Sequence, residues 1–411
     1  MKIDEALERW QEFAWTHAVR AVDPGRIRAE IGTAPDGPLT GTLFTVKDLF
    51  PVKGLESAAG SLLLHGNVPV QETPMIAALR GAGSVCFGKG VCAEFGMGID
   101  TAQRLDGRVL HPFHPDLSPG GSSGGDAVAV ATRMVDFAIG GDYGGSIRWP
   151  AQATGVFGLR FGVGRLPDHG RLGLPTQGQQ ATYEVPGVIA RDAGLARVVT
   201  ETLLGPAPGA PLTRRLVVVP PTAIGPVRDE VIRGMERFRA LASSRGFTTV
   251  DGGPALAATL AHGFATYQRL RALTDRQDSV RSLVTGRGEL LSNSTRAILA
   301  AVASTADADP DEVAGLVAQA ETVRARVRGF LTGVDALVMP VAASGAIGFA
   351  ETVDVGGTPM DGFTLSTFVR AVTLTGLPAL SFPVGEYVSM QIVAPDQGEL
   401  LLWDIAAALV G

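Results

Sequence analysis

Apolar and polar positions follow two different periods along this chain, and the change from one to the other marks its organisation. "MKIDEALERWQEFAW" places apolar residues at helical spacing with charges between them, which predicts an amphipathic helix rather than a secretory leader. "LTGTLFTVKDLFPVKG" (Leu39 to Gly54) alternates apolar and β-branched residues before Pro-Val-Lys-Gly, predicting a strand that runs into a turn. "TPMIAALRGAGSVCFGKG" follows as a helix closed by glycine and then a short buried strand, the β-α-β rhythm of a largely parallel sheet. The alternation continues to about Arg191. From there to about Asp335, stretches such as "VRDEVIRGMERFRALASS" and "DEVAGLVAQAETVRARVRGFL" predict helices packed over the sheet. "DALVMPVAA" and "LPALSFPVG" read as late buried strands, and "GELLLWDIAAALV" as a closing helix. No repeat or low-complexity linker divides the chain. The expected fold is a single α/β domain with a central, mostly parallel mixed twisted sheet covered by helices on both sides.

Composition narrows the classes. The 411 residues are 45% hydrophobic and 18% charged with a formal net charge of -6, a globular, enzyme-like balance. A mildly acidic chain lacks the basic footprint of a nucleic-acid binder, and no apolar run approaches the roughly 20 residues that span a bilayer. A cytoplasmic location is expected. Cys86 and Cys92 are too few for a disulfide framework and wrongly spaced for a zinc knuckle or redox pair, so both are expected to be buried. His111 and His114 sit in "HPFHP", where prolines exclude a regular helix and a loop role is expected instead of a metal site. Neither a metal nor a cofactor is called for.

The candidate chemistry lies in two glycine-rich turns, "PGGSSGGDA" and "GGDYGGSIRWPA", separated by a helical stretch and the apolar run "VDFAIGG". Glycine in a regular element costs about 0.5–1 kcal/mol relative to alanine, so such clusters imply sharp bends or close approach. Each turn precedes a helix start, and amides around Tyr143 to Ser146 could converge beside a hydroxyl, the arrangement acyl transfer requires. Three other readings compete. A phosphate loop needs Gly-Lys-Ser/Thr, and Gly125-Asp126 stand there instead. Gly120 to Gly124 satisfies G-x-S-x-G, but its triad would need His169 or His262, neither in a supporting motif. Purely structural turns would explain either loop alone, but not their combination with Lys47, an isolated cation in "FTVKDLF". Held neutral by burial, a lysine can serve as base to a serine.

"TVKD", "PGGSSGGDA" and "GGDYGGSIRWPA", in that order and with Ser122 and Ser146 lying 24 positions apart, resemble the amidase signature family of serine hydrolases. "GAGSVCFGKG", "AEFGMG", "GVFGLR" and "GLPALSFPVG" extend the resemblance, whereas residues from about 200 to 335 share only helical character with it. The resemblance implies one amidase signature domain: N-terminal helices over 1–38, a catalytic core over 39–200, a variable helical region over 201–334 that shapes the substrate pocket, and C-terminal strands and helix over 335–411. It also implies a Ser-cisSer-Lys triad with Ser146 as nucleophile, Ser122 as bridging residue on a cis peptide and Lys47 as base. The amides of Tyr143, Gly144, Gly145 and Ser146 would form the oxyanion hole, Ser123, Asp142 and Arg148 would support the loops, and Met97, Gly98 and Tyr143 would contact substrate. Gly141, Tyr143 and Arg160 depart from the family pattern, where threonine, a small or β-branched residue, and lysine are usual. Compact length resembles the small indole-acetamide-type hydrolases, which implies a small carboxamide with an aromatic or apolar acyl group. The alternatives are an amide synthase or acyl transferase using the same acyl-enzyme, or a non-catalytic binding protein; a glutaminase component of a larger assembly is disfavoured by the absence of a partner-binding extension. A small-molecule amide is the expected partner, with a homodimer the assembly to look for.

Overall fold

The computed structural model describes residues 3–166, 170–172, 178–206, 211–275, 278–303, 308–349 and 352–411. Eleven strands form the central sheet: β1 (Val19–Arg20), β2 (Leu43–Lys47), β3 (Val85–Gly90), β4 (Phe137–Asp142), β5 (Phe157–Arg160), β6 (Val185–Ala190), β7 (Arg215–Val218), β8 (Thr248–Asp251), β9 (Ala336–Pro340), β10 (Ala379–Gly385) and β11 (Val388–Val393). Their spatial order is β1-β3-β2-β4-β6-β5-β10-β11-β9-β7-β8. The sheet is mixed. Parallel pairing occurs in two blocks, β3-β2-β4 and β9-β7-β8, joined by an antiparallel middle that runs from β4 through β6, β5, β10 and β11 to β9.

The period of two along these strands sorts the core onto two faces. Phe44, Val46, Cys86, Phe137, Ile139, Val188 and Ala190 enter the larger apolar cluster, while Leu43, Val85, Phe87, Ala138 and Ile189 enter the smaller one behind the sheet. The helices Ile3–Glu12 and Pro24–Thr33, α1 (Gly124–Ala131) and α2 (Arg148–Thr154) contribute Leu7, Ile27, Val130 and Ala151 to the smaller cluster. The opposite face is covered by longer helices, among them α3 (Gly253–Thr274), α4 (Pro310–Phe330) and α5 (Thr367–Thr375), with α3 packed on both α4 and α5.

The span 201–334 is not only helical, as the sequence pattern suggested. β7 and β8 lie inside it and complete one edge of the sheet through parallel pairing. Their brevity explains the difference: "RLVV" and "TTVD" are four residues each, β-branched enough to extend and too short to stand out among long helix formers. Cys86 and Cys92 are both buried and free. His111 is buried against the Ala153 carbonyl at 2.9 Å, and no group of potential metal ligands occurs among the described residues. Among the same residues, no helix is long and apolar enough to cross a membrane.

Candidate active site

Strand alternation puts Lys47 on the face shared by Leu43 and Thr45, at the end of a strand buried along its whole length. Its Nζ lies 2.7 Å from Ser122 Oγ and 3.1 Å from the Gly141 carbonyl, and the residue is only 1% exposed. Gly141 pairs with Pro186, which has no N–H to offer, and its carbonyl accepts from Lys47 and, at 3.5 Å, from Ser123 Oγ. Burial lowers the Lys47 pKa, an effect that nearby Cys92, Glu184 and Asp126 only partly offset.

The first serine turn is fixed from several sides. The Gly121–Ser122 peptide is cis, Ala93 N–H donates to the Ser122 carbonyl at 3.2 Å, and Thr101 Oγ1 donates to the Gly120 carbonyl at 2.9 Å. A side chain at Gly120 would meet the Trp149 ring at 2.8 Å, and φ there is +78°. Ser123 N–H donates to the Ser146 carbonyl at 3.2 Å, which holds the two serine turns in backbone contact. Asp126, in the first turn of α1, accepts from Thr45 Oγ1 at 2.9 Å, while its second oxygen is buried without a hydrogen-bond partner among the described residues. Burial raises its pKa to about 7 against the counteracting Thr45 hydroxyl, Lys47 and Lys89. A Cβ at Gly90 would collide with Asp126 Oδ1, so the carboxyl fits only because β3 has glycine there.

The second turn hangs on Asp142. Its carboxylate accepts from Gly145 N–H at 3.0 Å, Ile147 N–H at 3.2 Å, and Arg148 Nε and Nη2 at 3.1 and 3.0 Å. Burial alone would raise its pKa, but the Arg148 charge and hydrogen bonds, with Arg160 and the amides, hold it well below the ordinary carboxylate range. Arg148 reaches on to Val369 O, Gln391 Oε1 and Thr373 Oγ1 at 2.7–3.0 Å, and so ties the turn to α5 and β11. Arg160 donates to Leu377 O and Tyr183 O at 3.0 and 3.1 Å and lies 3.7 Å from Asp142.

One expectation for this turn needs correction. Gly145 N–H points inward to Asp142 and cannot serve an oxyanion, because the carboxylate takes it as an anchor. Tyr143, Gly144 and Ser146 are half-buried, and their N–H groups make no hydrogen bond among the described residues. Ser146 Oγ likewise has no partner among them. Tyr143 does not swing freely: its hydroxyl donates to Asp275 and, at 3.3 Å, to Gln179, and its ring packs 5.7 Å from Tyr267. Met97 packs against the small apolar cluster that includes Leu49 and Phe95, and Gly98 lies against Ala93 and Asp100. The turn presents Gly96 instead to the hydroxyl, since a Cβ there would lie 3.6 Å from Ser122 Oγ. His262 is exposed on α3 and His169 lies outside the described residues, so a histidine triad at Ser122 gains nothing.

Sequence reading missed Asp126, Tyr267, Asp275 and Arg370. Asp126 had a signal in "SSGGDA", an acidic residue in an otherwise apolar helix. The other three come from segments with ordinary helical patterns, and nothing local marks them.

The amidase family pattern matches residues 2–402. The chain belongs to the amidase family. It is 30% identical over 427 aligned positions to a glutamyl-tRNA(Gln) amidotransferase subunit of Thermus thermophilus, covering 93% of this chain and 89% of that one. The corresponding subunit of Halobacterium salinarum is 29% identical over 92% of this chain and 96% of its own length. Among solved structures, a crystal structure of an amidase superposes with a TM-score of 0.85 at 27% identity, covering 99% of this chain and 94% of the other. A 6-aminohexanoate cyclic dimer hydrolase solved with substrate shares the fold at a TM-score of 0.82 and 22% identity, over 99% of this chain and 92% of its own. This amidase-family enzyme is thus built on the α/β amidase-signature fold expected from its sequence.

Proposed function

We propose that the enzyme hydrolyses the C–N bond of a small carboxamide through an acyl-enzyme on Ser146. The observation that carries this reading is the buried Lys47 amine 2.7 Å from Ser122 Oγ, with the Ser122 turn in backbone contact with a turn whose hydroxyl and three of whose amides have no partner among the described residues. Burial favours the neutral form of Lys47, which can accept a proton. Ser122 passes its proton to Lys47 and takes one from Ser146 as Ser146 Oγ bonds to the amide carbon. The carbonyl π pair moves onto oxygen, and the N–H groups of Tyr143, Gly144 and Ser146 stabilise that charge. Collapse of the adduct expels the amine, which leaves with a proton returned through Ser122. Water then attacks the ester while giving a proton through Ser122 to Lys47, and the relay returns that proton to Ser146 Oγ as the acid leaves. Ser123 holds Gly141, and Asp142 with Arg148 fixes the turn.

The acyl part of the substrate is apolar or aromatic and short. The half-buried Tyr143 ring borders the second turn, with the buried Leu49, Tyr267 and Val369 side chains packed around the two turns. Fluorophosphonate labelling followed by peptide mass spectrometry tests the assignment: adduct on Ser146 is expected, and adduct on Ser122, or none on a folded sample, overturns it. Hydrolysis of short aryl- and alkyl-acetamides ahead of long-chain and peptide amides tests the substrate class. Because the Thermus and Halobacterium relatives are amidotransferase subunits, added hydroxylamine should be included. Capture of the acyl group faster than hydrolysis would make transfer the physiological reaction.

A further inference from the structure

Arg370 is a buried cation that makes no direct ion pair among the described residues, with Asp361 acting on it only at longer range. It is 6% exposed and, among the described residues, forms no ion pair and uses only Nη1 in a hydrogen bond, to the Phe363 carbonyl. Its guanidinium stacks on the Phe363 ring, 3.2 Å from the centroid, and Nε is buried with no partner. Buried charges are ordinarily paired, as Arg148 is with Asp142. The unused edge is the informative one. Nε and Nη2 point the same way and form the side-on fork that receives a carboxylate through two parallel hydrogen bonds.

That fork sits beside the second serine turn. α5 packs so closely on the turn that a Cβ at Gly145 would lie 2.5 Å from Val369 Cγ2. A Cβ at Gly144 would lie 3.3 Å from Arg370 Nε and 3.1 Å from Tyr267 Oη, so both polar atoms border the Gly144 α-carbon. Among the described residues, Tyr267 Oη makes a 3.5 Å contact with the Tyr143 carbonyl and also interacts with the Tyr143 hydroxyl. Arg271 lies over the same Phe363 ring at 4.9 Å and adds positive field, although Asp275 at 3.8 Å partly neutralises it.

We propose that Arg370 and Tyr267 form a carboxylate subsite, and that the preferred substrate is the monoamide of a short dicarboxylic acid. The inference rests on the Ser146 reading above and adds a charged end to its apolar acyl group. Two residues along the backbone span at most roughly 7 Å, which limits the spacer between the two carbonyl carbons to about one to four carbons.

The test compares malonamate, succinamate and glutaramate with their neutral methyl esters. The wild-type enzyme should favour at least one acid in kcat/KM by about tenfold or more. Arg370→Met should lower that acid-to-ester ratio about 10- to 100-fold, the range for charge-assisted hydrogen bonds, and Arg370→Lys should restore it only in part. Equal preference for acid and ester in the wild type, or an unchanged ratio in Arg370→Met, overturns the proposal. Should Arg370→Met fail to fold, calorimetry on the wild type decides: succinate must bind more tightly than butyrate, and equal binding overturns the subsite. Succinate preference without any Ser146 adduct or amide turnover would sink the catalytic reading and leave the subsite standing. A Ser146 adduct without succinate preference would do the reverse.

Discussion

Asp142 and Asp126 are both buried, stand at opposite ends of the α1–β4 segment, and are driven in opposite directions. Asp142 receives three backbone amides and a two-pronged contact from the Arg148 guanidinium, and remains an anion. Asp126 has one hydroxyl on one oxygen, no hydrogen-bond partner among the described residues on the other, and a pKa pushed up to about 7. Burial is the same in both, so the donors decide the charge state. The saturated carboxylate is suited to hold a turn in place. The unsaturated one lies near Lys47 and Lys89 in a group of buried ionisable side chains where protonation is still adjustable.

The largest expected effect concerns the lysine on the adjustable side. Lys47→Met should reduce kcat by about 10⁴-fold, roughly 5.5 kcal/mol of barrier, if its amine is the base. Since burial lowers the Lys47 pKa, the wild-type rate should rise with pH as the amine loses its proton, with an apparent pKa below the ordinary lysine value. A full rate at neutral pH in Lys47→Met would remove the base assignment.

On the saturated side, Arg148→Met should cost about 3–5 kcal/mol in denaturant unfolding, because Asp142 would remain as an uncompensated buried charge. Adding Asp142→Asn to that variant should recover part of the loss. If the two substitutions are simply additive, the anchor reading of this carboxylate fails.

Asp126→Asn should be milder and depend on pH. The folded-state pKa is raised, so the acid contributes stability that is full below about pH 4 and is lost as pH rises through about 7. Relative to Asp126→Asn, the wild type should therefore lose on the order of 1–4 kcal/mol between pH 4 and 8. Lys47, whose pKa is lowered, works in the opposite sense, and comparison at matched pH separates the two. A flat difference across that range would contradict the contrast between the carboxylates.

The smallest effect belongs to Tyr143→Phe. It removes donors to Asp275 and Gln179 while keeping the ring, and should cost about 0.5–1.5 kcal/mol in stability with a change in KM of a few-fold. An unchanged KM would separate this hydroxyl from substrate binding.

The parts legible in the sequence were those encoded locally. Lys47, Ser122 and Ser146 each lie in a short run whose glycines and β-branched residues dictate the turn or strand around them, and the first two come together at 2.7 Å. The strands at Leu43–Lys47 and Phe137–Asp142 and the helix between them were readable for the same reason. Gly145 misled because its amide could be placed on the correct turn while its direction is set by Asp142 Oδ1. Arg370 and Tyr267 were invisible because their meaning comes from the crossing of α3, α5 and the Tyr143–Ser146 turn, which lie about 100 residues or more apart along the chain. β7 and β8 were lost because sheet edges are completed by pairing rather than by strong local pattern.

The reach of Arg148 to Thr373 and Gln391 also bears on synthesis. A nascent chain that has left the ribosome only through α4 already holds Lys47, both serine turns and Asp142, yet lacks the acceptors that orient the guanidinium beside them. The reactive turn therefore takes its final form only after nearly the whole polypeptide has emerged. Truncation within the last few dozen residues should silence a centre more than 200 positions upstream.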